Sequence, residues 1–258
     1  MNIGNLYTEL EKRIPRSLSC AWDNDGLLCC PDSSKEAKKV LVTLDVTSAA
    51  VELAIAGGYD CIVSHHPFIF KGLGALTDEA PISAKAIKLI NAGISVISFH
   101  TRLDALDGGV NDTLCALLGV KDTEPLFEDG IPIGRIGRLD APESAEEFAK
   151  RVKAALGSPF VLLSDAGVPA SRVAVLGGSG KDMIALARRA GADTFISGRL
   201  DYHPLTDALD EKTAPMNLLE AGHYYTEAPI CKVLAKMITE IIPEAVCDIY
   251  ASNVIKAI

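Results

Sequence analysis

The chain has 258 residues, of which 48% are hydrophobic and 23% are charged, and its formal net charge is -9. This length and composition predict a folded globular protein with either one large domain or two domains of about 100 to 150 residues each. The negative charge argues against nucleic acid as a partner, because binding a phosphate backbone needs a basic surface. A small anionic substrate remains compatible with this charge if a bound metal ion supplies local positive charge.

The longest apolar runs have the length of strands, and none approaches the roughly 20 residues that a membrane-spanning helix needs. The polar start MNIGNLYTELEKR does not have the pattern of a signal peptide. The seven cysteines are an odd number and contain no C-x-x-C pair, which predicts reduced thiols. We therefore expect a cytoplasmic protein without a membrane partner.

A strand, a helix and a second strand follow one another in the first half of the chain. Residues 39–47 (KVLVTLDVT) are typical of a buried strand that ends at a helix N-cap, Thr47. Residues 48–58 have helical spacing and end on glycines, and residues 60–66 (DCIVSHH) are typical of another strand. This order predicts a parallel pair of strands. Residues 85–100 repeat the helix and strand and again end on a histidine.

The second half of the chain repeats this pattern. Residues 172–198 predict a strand, a glycine-rich turn, a helix and another strand, and residues 142–157 predict an amphipathic helix with its acidic residues early. The turn 177-GGSGKD-182 could cradle an anion on its backbone N–H groups. It matches neither of the common phosphate-binding motifs, so we favour a close-packed turn.

The repeated pattern predicts an α/β fold of two similar domains with largely parallel sheets flanked by helices. Residues 125–137 are rich in proline and glycine and are the predicted junction, while residues 230–255 predict a helix and a strand that could return to the first half. The predicted domains are therefore residues 1–127 plus about 235–258, and residues 128–234.

Every histidine of the chain lies near the end of a predicted strand or short apolar run. In open parallel sheets, ligands bind beyond the carboxyl ends of the strands. An isolated histidine is usually a core or solvated residue, but a whole set at comparable positions indicates a functional edge. The set consists of His65, His66, His100, His203 and His223.

Neighbouring side chains of a strand point to opposite faces, so His65 and His66 are expected to diverge. Pro67 biases His66 to an extended backbone and strengthens this expectation. Two metal ions about 3.5 to 4 Å apart could then take one histidine each. The alternative is a plain strand end with one histidine buried and the other exposed.

Two carboxylates could complete a metal site: Asp104 just past a strand end, and Glu227 four residues after His223. The second spacing could put both side chains on one helical face. However, Thr226 has the features of an N-cap and a proline follows at 229, so we expect His223 in a loop and Glu227 at a helix start. Imidazoles with carboxylates suit Zn, Mn or Fe.

Motifs along nearly the whole chain resemble those of the GTP cyclohydrolase 1 type 2 homologues, also called NIF-three-like dinuclear metal centre hexameric proteins. The motifs occur in the family's order and are 22-WDNDGLL-28, 43-TLDVT-47, 64-SHHPFIF-70, 100-HTRLDA-105, 108-GGVND-112, 177-GGSGKD-182 and 221-AGHYYTE-227. The resemblance implies the NIF-three-like fold, with the metal site between its two α/β domains, and a ring-shaped homohexamer. The extra domain of longer family members has no room in this chain.

The resemblance also implies a set of ligands for two divalent ions per subunit, which could be Zn, Fe or Mn. His66 and Asp104 would hold one ion, His65 and His223 the other, and Glu227 would bridge the two.

Two bound metal ions predict hydrolysis, because they polarise the attacked bond and lower the pKa of a bound water from 15.7 toward about 7. His100 or His203 could then move protons. The family name suggests opening of a purine ring, and hydrolysis of another nucleotide or small anion is the near alternative. The other class is a non-enzymatic, ring-shaped metal-binding scaffold or regulatory protein. Five ligands leave coordination positions open on two ions, which favours catalysis.

Two further residues have alternative interpretations. Trp22 is most simply a hydrophobic anchor before an Asx turn, and the wall of a substrate site is the alternative. Arg102 is expected at the surface, with contact to an anionic substrate as the alternative.

Overall fold

The computed structural model describes residues 1–255, apart from the side chain at position 208, and the chain divides into two compact units. The first unit comprises Met1–Leu103 and Ile230–Ser252, and the second comprises Asp104–Pro229 with residues 253–255. Each unit contains one β-sheet. The prediction of an α/β protein with two helix-flanked sheets is confirmed.

The secondary structure follows the predicted order of elements. The α-helices are α1 (Ile3–Arg13), α2 (Ser48–Ala56), α3 (Pro81–Ala92), α4 (Thr101–Ala105), α5 (Val110–Leu118), α6 (Ala145–Leu156), α7 (Ile184–Arg189), α8 (Tyr202–Asp210), α9 (His223–Glu227) and α10 (Ile230–Ile241). The strands are β1 (Gly26–Cys29), β2 (Lys39–Thr43), β3 (Cys61–Ser64), β4 (Ser95–Ser98), β5 (Lys121–Glu128), β6 (Ile131–Glu143), β7 (Leu162–Ser164), β8 (Ala170–Ser179), β9 (Thr194–Arg199), β10 (Asn217–Glu220) and β11 (Val246–Tyr250). Short 3₁₀ helices lie at Arg16–Leu18 and Lys181–Met183.

The sheet of the first unit has the order β1-β4-β3-β2-β11. Its last four strands in this order are parallel, and β1 adds to the edge in the antiparallel direction. Strand β11 pairs with β2, which confirms the predicted return of the chain end to the first half. Helix α2 begins where expected, because the Thr47 hydroxyl accepts a hydrogen bond from the backbone N–H of Ala50.

The central strands β3 and β4 are buried along their whole length, which explains their continuous apolar sequence. Their apolar residues pack against helices α2 and α3 in one core, whose members include Leu41, Val51, Ile62, Leu89 and Val96. Because these strands are parallel, their carboxyl ends meet at one edge of the sheet. His65 and His100 follow those ends.

The sheet of the second unit has the order β5-β6-β8-β9-β10-β7. Its centre, β8 to β10, is parallel as predicted, and the outer pairings are antiparallel. Residues 125–137, the predicted junction, lie in the hairpin formed by β5 and β6. Asp129 and Gly130 both have positive φ, 49° and 82°, as a two-residue type I′ turn requires. Proline and glycine therefore mark a turn within one unit at this point.

Helix α6 matches the predicted amphipathic helix at 142–157. Ser144 and Glu147 form a capping box at its start, and Gly157 ends it in the left-handed conformation. Among the described helices, none is long and apolar enough to cross a membrane.

Candidate metal centre

Three histidines of the first unit lie together at the carboxyl edge of its sheet. His65 and His66 follow β3, His100 follows β4, and the paired ends of these strands are Ser64 and Ser98. The ring centroids of His65 and His66 are 5.0 Å apart, and the His100 ring lies 5.5 Å and 5.8 Å from them. We call His65, His66 and His100 the histidine cluster. The predicted functional edge therefore holds three imidazoles within one unit.

The expected divergence of His65 and His66 is wrong. Strand β3 ends at Ser64, and the chain bends at the two histidines, so the alternation of side chains no longer applies to them. The backbone N–H of His66 donates to the carbonyl of Leu44, which holds the bend. The two rings therefore lie side by side with a tilt of 40° between their planes.

Each histidine of this pair has its Nδ1 atom engaged by an acceptor of the protein. Nδ1 of His65 lies 3.1 Å from the carbonyl oxygen of Phe99, and Nδ1 of His66 lies 2.7 Å from the carboxylate of Asp45. A carbonyl only accepts hydrogen bonds, so Nδ1 of His65 carries the proton, and an ionised carboxylate fixes His66 in the same way. Both rings thereby direct the lone pair of Nε2 away from these acceptors, as metal-binding histidines do.

His100 makes the corresponding contact with Asp23. Nδ1 of His100 lies 2.9 Å from Oδ1 of Asp23, and the other carboxylate oxygen accepts from the backbone N–H and the hydroxyl of Thr101. Burial by itself would raise the pKa of Asp23, but the hydrogen bonds from His100 and Thr101 outweigh it and lower this pKa to about 2. Asp23 is therefore ionised at neutral pH, and Nδ1 of His100 is the donor.

Arg102 is fully buried, so the expected surface position is wrong, and the buried guanidinium is not available to a substrate. Its Nε and Nη2 atoms donate to the carboxylate of Asp25 at 2.8 to 3.0 Å, and Nη1 donates to Glu11 at 2.9 Å. These contacts satisfy the charge of a buried guanidinium. Arg102 thus anchors the start of α4 to the WDND segment and to helix α1.

The second unit holds the other predicted ligands. Asp104 lies in α4, and His223 and Glu227 are the first and last residues of α9, where Nε2 of His223 is 2.9 Å from Oε2 of Glu227. Asp104 and Glu227 are both buried. Among the predicted ligands, the second unit thus supplies two buried carboxylates and one imidazole.

The expected N-cap at Thr226 is wrong, because Thr226 lies inside α9. Its hydroxyl bonds back to the carbonyl of His223 at 2.9 Å. The helix begins after Gly222, whose φ of 89° is accessible to glycine, and it ends before Pro229. His223 and Glu227 therefore share one helical face, as their spacing of four residues allows.

The glycine turn after β8 packs directly against α9. The backbone N–H of Gly178 donates to the Thr226 hydroxyl at 3.1 Å, and the Gly178 carbonyl accepts from the hydroxyl of Ser197 at 3.1 Å. Gly178 has a φ of 66°, and any Cβ at this position would collide with the carboxylate of Glu227. The turn is therefore close-packed, as favoured from the sequence.

Asn111 connects Asp104 to the same turn. Its side-chain amide donates to the backbone carbonyl of Asp104 at 3.0 Å, and its side-chain oxygen accepts from the N–H of Gly177 at 2.9 Å. Asn111 is fully buried, so these bonds are shielded from water. The buried amide fixes the backbone of Asp104 relative to the end of β8.

His203 lies near the start of α8 and is exposed to solvent. Its ring contacts that of Tyr202, with centroids 5.6 Å apart, and its carbonyl accepts from the hydroxyl of Thr206.

Sequence reasoning missed the roles of Asp23 and Asp45, the carboxylates that orient the histidine rings. Asp45 stands two residues beyond the end of β2, next to β3 in the sheet. An acidic residue just past a predicted parallel strand is the signal that could have identified it. Asp23 carried no such signal, because it lies in a turn before an edge strand.

The sequence matches the family model of Duf34/NIF3 (NGG1p interacting factor 3) over residues 1–257. The chain belongs to the DUF34/NIF3 family. It is 34% identical to the "GTP cyclohydrolase 1 type 2 homolog" of Lactococcus lactis over 92% of this chain and 91% of that one. Its identity to the protein of the same name from Clostridium perfringens is 30%, over 93% and 92% of the two chains.

Solved structures show the same fold. A Staphylococcus aureus hypothetical protein of known crystal structure has a TM-score of 0.89 and 27% identity, covering 100% of this chain and 99% of that one. The reduced HcgD protein of Methanocaldococcus jannaschii has a TM-score of 0.84 and 26% identity, covering 96% and 97% of the two chains. The resemblance seen in the motifs is thereby confirmed.

In this DUF34/NIF3 chain, His65, His66 and Glu227 each offer one atom of a kind that binds metal ions. Two imidazoles and a buried carboxylate are ligands typical of Zn, Fe and Mn sites.

Proposed function

We propose that this DUF34/NIF3 protein binds two divalent metal ions and acts as a metal-dependent hydrolase of a nucleotide or a related small anion. The observation that carries the proposal is the orientation of His65 and His66. Nδ1 of His65 lies within hydrogen-bond distance of the Phe99 carbonyl and Nδ1 of His66 within that of the Asp45 carboxylate, so that in both rings Nε2 is the nitrogen directed away from these acceptors. This arrangement of acceptors behind paired imidazoles is the usual support of metal-binding histidines.

The proposed ligands follow the family resemblance. By that resemblance, His66 and Asp104 would hold one ion, His65 and His223 would hold the other, and Glu227 would bridge them. Imidazoles and carboxylates accept Zn, Fe or Mn. The burial of Asp104 and Glu227 supports this assignment, because a buried carboxylate is stable when a cation compensates its charge.

Bound divalent ions would polarise the substrate and make a water molecule more acidic. The protein itself supplies the proton acceptor. His100 donates Nδ1–H to the ionised Asp23, so its Nε2 lone pair can take a proton, and Asp23 stabilises the imidazolium that results. His203 is exposed and provides a second group that exchanges protons with solvent.

Elemental analysis of the purified protein tests the metal site. We expect bound divalent metal in the wild type and a clear loss of it in His65→Ala and in Glu227→Ala. His203→Ala is the matched control, because it removes an imidazole outside the proposed ligands and should keep the metal content. An unchanged metal content in both ligand variants would contradict the proposal.

Hydrolysis is tested with a panel of nucleotides and phosphoesters, with and without added Mn or Zn. We expect metal-dependent turnover, and His100→Ala should lower kcat by about 100-fold while the metal content stays the same. Metal bound without turnover on any compound would instead favour a non-enzymatic, ring-shaped scaffold or regulatory protein.

The proposal extends to assembly and location. By the family resemblance the chain forms a ring-shaped homohexamer. Its cysteines are free thiols throughout, and they lie in described parts of the chain, which supports work in the reducing cytoplasm. The net charge of -9 supports a small-molecule substrate over nucleic acid.

A further inference from the structure

Two large aromatic side chains are exposed beside the histidine cluster. Trp22 is 65% exposed and Phe70 is 41% exposed. Both rings approach His100: the centroid of Trp22 lies 6.2 Å from that of His100, and the centroid of Phe70 lies 6.0 Å from it. The two rings are also 6.2 Å apart and nearly perpendicular, at 77°. Exposed aromatic rings that lie together on a protein surface often mark a binding site.

Polar contacts hold the segments that carry these rings. The side-chain amide of Asn24 donates to the backbone carbonyl of Ile69 at 2.5 Å, which ties the Trp22 segment to the Phe70 segment. The carboxylate of Asp23 binds His100 and Thr101, which ties the Trp22 segment to the end of β4. The two segments are therefore tied to each other and to β4, while the side chains of Trp22 and Phe70 remain exposed. Such preorganisation reduces the entropy lost on binding.

We propose that Trp22 and Phe70 form an aromatic platform that binds a planar heterocyclic ring, such as a nucleobase, beside His100. Because the two rings are nearly perpendicular, one of them stacks on the bound ring and the other meets it edge to face. A platform of this kind would make a compound with a planar heterocyclic ring the substrate of the proposed hydrolase. Its role in catalysis rests on that proposed function. Stacking suits such a ring, because every base presents a π-face and aromatic side chains supply one in return. A ring bound here lies next to the imidazole of His100.

A small planar ligand fits these observations better than a protein partner does. Both aromatic rings meet His100 by an edge-to-face contact, with interplanar angles of 75° and 85°, and so they converge on one polar group. A protein interface typically buries about 800 Å² on each partner, whereas this platform consists of two rings around an imidazole. Convergent apolar and polar groups of this kind are typical of a small-molecule site.

The fluorescence of Trp22 tests the platform, because it is the only tryptophan of the chain. The purified protein with its bound metal is titrated with guanosine 5′-monophosphate, cytidine 5′-monophosphate and ribose 5-phosphate. We expect saturable quenching by at least one nucleotide and none by ribose 5-phosphate, which carries the same phosphate without a ring. Equal quenching by ribose 5-phosphate would overturn the proposal.

Variants of Phe70 show whether stacking is the cause. Phe70→Ala and Phe70→Leu should each raise the dissociation constant of the nucleotide roughly tenfold, because both remove the ring and Leu retains the apolar volume. Phe127→Ala is the matched control, since Phe127 is 56% exposed and lies on β5 of the other unit. It should leave the constant unchanged. A Phe70→Leu variant that binds like the wild type would overturn the proposal.

Two further measurements separate this proposal from its alternatives. Elemental analysis of the same samples tests the metal site independently of the platform. If the nucleotides quench the fluorescence, ribose 5-phosphate does not, and the protein contains no metal, the platform is supported and the metal centre is contradicted. Bound metal without quenching contradicts the platform alone. A change of oligomeric state in Phe70→Ala with unchanged nucleotide binding would show that the two rings form a protein interface, which overturns the platform.

Discussion

Each ring of the histidine cluster has one nitrogen engaged by the protein, and the acceptors differ in charge. His65 faces the neutral carbonyl of Phe99, whereas His66 and His100 face the carboxylates of Asp45 and Asp23. A hydrogen bond from an imidazole to a carboxylate is charge-assisted, whereas one to a carbonyl is not. The cluster thus contains chemically distinct imidazoles, although all its members come from one edge of one sheet.

Gly178 has a structural role that a substitution can test. Gly178→Ala places a Cβ against the carboxylate of Glu227 and also strains the backbone at a φ of 66°. We expect a loss of about 1 kcal/mol or more in the free energy of unfolding, together with a lower metal content. Denaturant unfolding and elemental analysis measure the two effects.

Gly167→Ala is the matched control for this substitution. Gly167 has a φ of 74°, and a Cβ there would meet nothing within 4 Å. The control therefore carries the backbone strain without the collision and should keep the wild-type metal content. Equal metal contents in the two variants would show that Gly178 does not position Glu227.

Asp23 predicts a pH dependence of stability. Its pKa is about 2 in the folded protein, below the ordinary value of 3.8, so ionised Asp23 stabilises the fold above about pH 4. This contribution, about 2 kcal/mol, is lost as the pH falls from about 4 toward about 2. Urea unfolding at a series of pH values should show that Asp23→Asn lacks this loss. Asp78→Asn is the control at an exposed position, and its free energy of unfolding should depend on pH as that of the wild type does. If Asp23→Asn still lost stability steeply between about pH 4 and about pH 2, the prediction would be contradicted.

Among the elements, α9 shows how a short helix can hold two of the proposed ligands. It consists of His223–Glu227, little more than one turn, and such a helix is not stable by propensity alone. Glycines at the adjacent strand ends let the strand backbones approach α9 closely, and this packing stabilises the helix. A Cβ on Gly198 would collide with Thr226 and with the backbone of His223, and one on Gly178 would collide with Glu227. The ends of β8 and β9 carry glycines, which have no side chains, and α9 therefore packs closely against them.

The hairpin of β5 and β6 shows where local pattern misleads. Residues 125–137 contain an Asp-Gly pair between two apolar stretches, which is a strong hairpin signal as well as a composition typical of linkers. The structure places these residues in the sheet of the second unit, where Arg135 pairs with Val175 of β8. Composition alone cannot distinguish a hairpin from a linker, because both need residues that adopt turns.

At the scale of the whole molecule, the first unit is built from both ends of the chain. Helix α10 and strand β11 complete it, and β11 forms the edge of the sheet next to β2. The exposed apolar residues Val246 and Ile249 lie on this edge strand. An exposed edge with apolar side chains is a common place of association between chains.

The proposed homohexamer is tested by light scattering coupled to gel filtration. We expect a mass of six chains for the wild type, because the family resemblance implies a ring of six and closed symmetric assemblies have a fixed number of subunits. The measurement should be made at several protein concentrations, since a specific closed ring keeps its mass on dilution. A monomeric mass at all concentrations would contradict the assembly.

The sequence by itself determined the α/β class, the repeated strand and helix pattern, the return of the chain end and the histidines at strand ends. These features depend on hydrophobic periodicity and turn residues, which act over a few neighbouring positions. Only the tertiary structure decided which groups orient those histidines and that Arg102 is buried against Asp25, 77 positions away. Such pairs form only after the sheet order is fixed, and no local pattern carries the identity of a distant partner.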